Sequence, residues 1–517
     1  MSSCVLDELS AVFLAESLGR LTALTFLDLS CNFLVDDGMR TLAQPLGRLT
    51  ALASLDLGFN GITTDVTKAL VEPLGRLTAL TCLDLAGILV GRERLHTLAP
   101  ALRRLLRLEH LGLARPEHLG LTPAGDHVDE MLAEALGQLT KLTCLSLARC
   151  GSAGALAPAL HRLSRLARLD LGSTRLLVAD VAALAPALAA LPALTWLDIS
   201  SDPIWPPGAA CVQARVHALS RLSQLAAVNM TRWKLGSDGA AALAPSLGAL
   251  TTLTCLYLMH ARIGAAGAAA LAPPLSLLSR LAELNLDSND LGGAGAAALA
   301  PALCRLSQLA LLHLGHNQLG DAGAATLAPA LALLTRLLWL DLSWNRVSTA
   351  GMQSLAPSQT HLSRLESLDL SGSHVGAAAA AALAPALALP AMLTQLELSE
   401  SDVSDASMEC LAPALSRLSQ LKFLDLSRNQ ISDRGAAALA AALLHLTALT
   451  FLHLAHNAIG DAGVMHLVPP LVRLPTLHRL HGLWFGNCFS PTLESRESAL
   501  QAGVPASVWA VFNREQL

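Results

Sequence analysis

A unit of 28 residues recurs along this chain of 517 residues. Its plainest copy runs from Leu281 to Leu309, LAELNLDSNDLGGAGAAALAPALCRLSQL, and the next copy starts on Leu309. The first half reads L-x-x-L-x-L-x-x-N-x-L. Its alternation is that of a short strand, with Leu284 and Leu286 pointing to one side and Glu283, Asn285 and Asp287 to the other. The second half changes period: Leu299, Leu303 and Leu306 fall at i, i+4 and i+7, one face of an amphipathic helix. A single strand–helix unit cannot cover its own apolar face, so the copies must stack. Stacking makes the strands parallel, with right-handed crossovers through the helices. Because a helix is wider than a strand, the stack should curve, with strands on the concave side and helices on the convex side.

Counting the first leucine of each L-x-L gives 17 rungs, at 27, 55, 83, 111, 145, 169, 197, 228, 256, 284, 312, 340, 368, 396, 424, 452 and 480. Three spacings depart from 28: 34 before 145, 24 before 169 and 31 before 228. They accompany a surface loop expected at Arg115–Asp126 and a proline-rich segment, Ser201–Gly208, around Trp205. Asn at the turn position follows the same division. Asn32 and Asn60 carry it, residues 88 to 261 do not, and Asn289, Asn317, Asn345, Asn429 and Asn457 restore it. An asparagine there can donate to and accept from turn backbone that water cannot reach.

The pattern L-x-x-L-x-L-x-x-N-x-L, followed by x-x-x-G-x-x-x-L-x-x-x-L, resembles the leucine-rich repeat family, and the 28-residue helical form resembles its ribonuclease-inhibitor-like subclass. That resemblance implies an α/β solenoid, or horseshoe, and a non-catalytic protein-binding scaffold that works alone or inside a larger assembly. It also implies a division into an N-terminal capping helix (1–20), about 17 repeats (21–484) and a C-terminal cap (485–517). The Ran-type GTPase activators share the repeat class and supply an alternative function. They typically end in a strongly acidic tail, whereas residues 490–517 are mixed in charge.

Ten repeats carry proline at one fixed place, among them Pro301 and Pro329. Proline disfavours helix just before it. Helices of about two turns are therefore expected, starting from caps such as Asp321 and Asp461 and ending ahead of each proline.

Composition excludes several functions. The net charge is −5, and only four lysines occur, none after a glycine. Neither a sequence-independent nucleic-acid surface nor a G-K-[ST] phosphate loop is expected. The uncharged run from Val375 to Leu396 could span a membrane by length, but its leucines and proline keep the repeat register, so no membrane insertion is expected. Ten scattered cysteines without a C-x-x-C suit a reducing compartment, the cytoplasm, with cytoskeletal or ciliary assemblies among the settings that fit. His453, His456 and His481 cluster near the C-terminal end without metal-ligand spacing, and nothing marks a nucleophile elbow. No cofactor, metal or catalytic residue is assigned.

The strand position after each leading leucine reads Asp28, Asp56, Asp84, Gly112, Ser146, Asp170, Asp198, Asn229, Tyr257, Asn285, His313, Asp341, Asp369, Glu397, Asp425, His453 and His481. Nine of the 17 are acidic, which would attract a basic partner. Trp339 and Trp344 flank one such position. The candidate partner-binding patch is therefore Asp287, His313, His316, Trp339, Asp341, Trp344 and Asp369, facing a protein with a basic, partly apolar surface.

Overall fold

The computed structural model describes residues 6–481 apart from 63, 88–94, 115–127, 175, 202–208, 360, 390–391 and 475. The expected loop at Arg115–Asp126, the segment around Trp205 and the C-terminal cap lie outside the described residues. The chain divides into two compact units, residues 1–235 with 245–258 and residues 236–244 with 259–517.

Each of the 17 leading positions read from the repeat lies at the centre of a three-residue strand. Among the described residues, the first unit holds nine strands, from Phe26–Asp28 to Cys255–Tyr257, and the second holds eight, from Glu283–Asn285 to Arg479–His481. Neighbouring strands within a unit pair in parallel with no slip: Leu312 stands beside Leu284 on one side and Leu340 on the other. The strands Glu283–Asn285, Leu311–His313 and Trp339–Asp341 each bury the central leucine and leave its neighbours partly accessible, the alternation that period-2 side chains require. Leu284, Leu312 and Leu340 are all fully buried. Each contributes roughly 1.5–3 kcal/mol by leaving water.

In the second unit, every helix that lies wholly within it is 11 or 12 residues long. The helix Gly292–Leu303 buries Gly295, Ala296, Leu299, Ala302 and Leu303, while Leu306 is buried in the turn beyond it. The prolines do not stop these helices as expected. Helices continue two residues past Pro301, Pro329, Pro385 and Pro413. A proline in the last turn removes one i→i−4 bond, and the burial of residues such as Ala302 and Leu303 holds that turn in place.

The expected caps also work differently. Asp321 lies inside the helix Gly320–Leu331, and its carboxylate caps the next helix: it accepts from Ser348 N at 2.7 Å, Ser348 Oγ at 2.6 Å and Gly351 N at 3.1 Å. These bonds, that of the Ser348 hydroxyl first, hold the Asp321 carboxyl below its ordinary range. Asp405 and Asp433 cap their successors in the same way. Glycine at the third position of these capped helices follows from this arrangement, because a Cβ on Gly435 would stand 2.5 Å from Asp405 Oδ1. Asp461 is the first residue of its helix and Gly460 is the cap residue.

The asparagine ladder is clearest at Asn289, Asn317 and Asn345 in the second unit. Asn317 Nδ2 donates to Leu286 O of the preceding repeat at 2.8 Å and to Leu314 O of its own at 3.0 Å. Its Oδ1 accepts Asn289 N at 2.9 Å, and Asn345 Oδ1 accepts Asn317 N at 3.0 Å. At three positions where asparagine is missing, another donor reaches the equivalent carbonyl. Cys150 Sγ donates to Leu113 O, Trp233 Nε1 to Ile199 O at 2.7 Å and Ser401 Oγ to Leu370 O. Thr174 Oγ1 keeps the bond within its own repeat, to Leu171 O.

Candidate functional site

The acidic row has a local task. Asp28, Asp56, Asp84, Asp170, Asp198, Asp341, Asp369 and Asp425 each accept the backbone N–H two residues on, at 2.8–2.9 Å, fixing the chain as it leaves the strand. Asn229 and Asn285 do the same at 3.0 Å. An aspartate at this position is thus a turn former before it is a charge. Packing at strand spacing also reduces the charge the row carries. Burial first, then Asp341 and Glu397 nearby, pushes Asp369 up to about 7. Asp287 is likewise pushed up to about 7, by burial first and then by Asp341. Glu397, Asp198 and Asp56 are raised as well, chiefly by burial.

All seven candidate residues lie in the second unit, and they form two groups. The first group is half-buried. His313 ends the strand Leu311–His313, Asp341 ends Trp339–Asp341, and Asp287 lies two residues past the strand Glu283–Asn285. Asp287, His313 and Asp341 each offer a donor atom, and these atoms lie within 4.8 Å of one another. Asp287 Oδ1 also accepts Gly315 N at 2.7 Å. Burial holds the His313 imidazole below its ordinary range, against the pull of Asp341 and Glu283. The Trp339 ring lies 5.9 Å from the His313 ring, and its indole nitrogen is buried without an acceptor among the described residues. Asp369 stands beside Asp341 on the next strand.

The second group is exposed. His316 and Trp344 occupy the same turn position one repeat apart, both in the left-handed region at φ 55°. Their rings stack at 5.6 Å and 7°. Trp344 is 41 % exposed. In the next repeat Gly372 takes this position at φ 69°, and a Cβ there would stand 2.8 Å from the Trp344 ring. The indole therefore lies flat on a glycine. Sequence reasoning picked out the two rings but missed Gly372 and Gly315. Gly372 lies 28 residues from Trp344 and Gly315 lies 26 from Asp341, relations visible only once the repeats are set in register.

Several other aromatics are already engaged. The Arg168 guanidinium lies 3.6 Å above the Trp196 ring in the first unit. Phe423 and Phe451 stack on each other at 4.4 Å, and His453 Nδ1 lies 3.2 Å from Asp425 Oδ2. In the irregular repeats, the helices Glu130–Leu136 and Ala157–Leu160 border a groove of about 480 Å³, with Glu130, Glu134 and Arg162 on its walls.

A family profile described as "Leucine Rich repeat" matches six segments: 249–272, 281–300, 309–328, 337–356, 419–440 and 445–468. No curated protein matches the sequence. Among solved structures, an internalin (inlF) from Listeria monocytogenes str. 4b F2365 aligns over 92 % of this chain and 89 % of its own, at 18 % identity and a TM-score of 0.34. Among the described residues, no helix is long and apolar enough to cross a membrane.

Proposed function

Because the chain is built of leucine-rich repeats, a fold that generally serves protein–protein recognition, we propose that it is a non-catalytic binding scaffold of the ribonuclease-inhibitor-like subclass. Its docking patch is the group Asp287, His313, His316, Trp339, Asp341, Trp344 and Asp369. The observation that carries this reading is the exposed His316–Trp344 stack seated on Gly372. An indole held flat by a neighbouring ring and a glycine loses little freedom on binding, and such aromatics are the usual energetic anchors of an interface. The carboxylates beside it favour a partner that presents arginine or lysine among aliphatic side chains. Because Asp287 and Asp369 carry only part of their charge near neutral pH, attraction to that partner strengthens as pH rises through 7. The subclass is supported by the 28-residue spacing and by helices of 11 or 12 residues. A cytoplasmic setting is supported by ten cysteines scattered along the sequence without a C-x-x-C pair.

The test is a fluorescence titration of the full chain with peptides that combine arginine and leucine. Trp344→Ala should weaken binding by about 2 kcal/mol, roughly thirtyfold, with circular dichroism unchanged. Equal affinity for the parent and the variant would move the site elsewhere. A binding scaffold should also leave GTP hydrolysis by small GTPases unaccelerated, whereas a rate increase would establish the GTPase-activating alternative.

A further inference from the structure

We infer that Asp287, His313 and Asp341 form a binding site for one divalent cation of the zinc class, independent of the docking role of the exposed rings. Their donor atoms, two carboxylate oxygens and one imidazole nitrogen, come from three consecutive repeats and lie within 4.8 Å of one another. Ligands about 2.1 Å from a tetrahedral ion stand about 3.4 Å apart, a spacing these side chains reach by small torsional changes. Two carboxylates neutralise a dication. A nitrogen donor together with so few oxygens favours a first-row metal over Ca²⁺ or Mg²⁺, which take six or more oxygens. The fourth position falls to water.

A second observation is independent of that geometry. The residue four positions after the first of each strand's three reads Ser30, Gly58, Ala86, Ala114, Ala148, Gly172, Ser200, Thr231, Met259, Asp287, Gly315, Ser343, Ser371, Ser399, Ser427, Ala455 and Leu483, and only Asp287 is charged. In the next repeat, His313 replaces the aspartate or asparagine that usually forms the turn. Two departures from the repeat thus converge on one point beside Asp341. They place two carboxylates in partly desolvated surroundings where no lysine or arginine pairs with Asp287 or Asp341 among the described residues. A cation bound between these carboxylates would supply a counter-charge to both. Space is reserved as well. Gly315 lies between the groups, and a Cβ there would stand 3.1 Å from both Asp341 carboxylate oxygens. The same position is Ser343 one repeat later and Ser371 two repeats later.

Equilibrium dialysis of the full chain against Zn²⁺, after chelator treatment, tests the inference without any protein partner. One equivalent should bind. His313→Ala and Asp287→Asn should each weaken binding at least tenfold while preserving circular dichroism, and Gly315→Ser should weaken it by narrowing the space. His453→Ala, on a histidine outside the cluster, should leave binding unchanged. Absence of Zn²⁺ binding overturns the inference, as does binding that survives His313→Ala or is lost with His453→Ala. Since the measurement uses metal alone, its failure leaves the peptide titration of Trp344→Ala untouched.

Discussion

The repeats around Leu284–Leu340 and those around Leu111–Leu169 share the same strands but reach them by different means. In the first set, helices of 11 or 12 residues follow each strand, and each turn asparagine accepts the N–H of the residue one repeat earlier. In the second set the helices that follow Leu111 and Leu145 shrink to 7 and 4 residues, and the ladder residues are Cys150 and Thr174. Neither side chain offers an amide oxygen. Cys150 N therefore turns back to Leu147 O and Thr174 N to Leu171 O, each inside its own repeat. The strand stack survives because its leucines remain buried, with Leu111, Leu145 and Leu169 at 0–1 % exposure. Two tasks separate here: apolar burial fixes the strands, and the amide ladder ties each turn to the next.

The harshest way to probe this comparison is to remove what both regions share. Leu312→Asp and Leu145→Asp each bury an unpaired charge among leucines and should destabilise by about 4 kcal/mol or more, read from urea unfolding. Similar losses in the two regions would support the primacy of burial. A mild effect at either site would show that the strand there is held by something else.

Next comes the ladder, where the regions should differ. Asn317→Ala removes donors to three carbonyls and the acceptor of Asn289 N, all in buried surroundings. It should cost about 3 kcal/mol. Cys150→Ala removes one weak thiol donor and should cost about 1 kcal/mol. Equal losses would mean that the amide oxygen contributes nothing and that the ladder is only a row of donors.

These experiments bear on what was legible in the sequence. The strands were fully legible, because a leucine alternation repeated every 28 residues leaves one register. Helix ends were not. Proline chemistry argued for ending ahead of Pro301, but burial of Ala302 and Leu303 outweighed one lost hydrogen bond. The caps were misplaced by one repeat, since Asp321 looks like a cap for its own helix until the next helix is laid beside it. Loss of asparagine hid the fact that Trp233 and Cys150 reach the same carbonyls, and it also occurs at Ser401 between regular repeats. At the candidate site, the rings and acids could be named. The burial that weakens the acids, and the glycines that make room, depended on cross-repeat neighbours.

A pH series sharpens the contrast between an acid as turn former and an acid as charge. Asp369 has its folded value raised to about 7 from an ordinary 3.8. The folded state therefore holds the proton more tightly than the unfolded chain. The stability this confers is complete below the unfolded value and is lost as pH rises through about 7. Asp369→Asn keeps an oxygen for Ser371 N and carries no charge beside Asp341 and Glu397. Its Tm should match the parent at pH 4 and exceed it at pH 8. A parent Tm that does not fall between those values would mean that the carboxyl ionises without penalty.

The smallest expected effect isolates the seat of the exposed indole. Gly372 and Gly264 both adopt positive φ, at 69° and 63°, where a side chain costs about 1 kcal/mol whatever its surroundings. A Cβ on Gly264 would meet nothing within 4 Å, whereas one on Gly372 would stand 2.8 Å from the Trp344 ring. Alanine at either position therefore carries the same backbone strain, and only Gly372→Ala also displaces the ring. Trp344 is partly exposed and can swing outward, so the added cost in stability should be no more than about 1 kcal/mol. Its signature should be optical: Trp344 fluorescence moves toward that of a solvated indole in Gly372→Ala and stays in place in Gly264→Ala. The same displacement should weaken the arginine–leucine peptides in Gly372→Ala alone, because a ring freed from its seat must be ordered again on binding. Identical behaviour of the two glycine variants would mean that the seat does not hold the ring, and the patch would lose the preorganisation on which its affinity is argued.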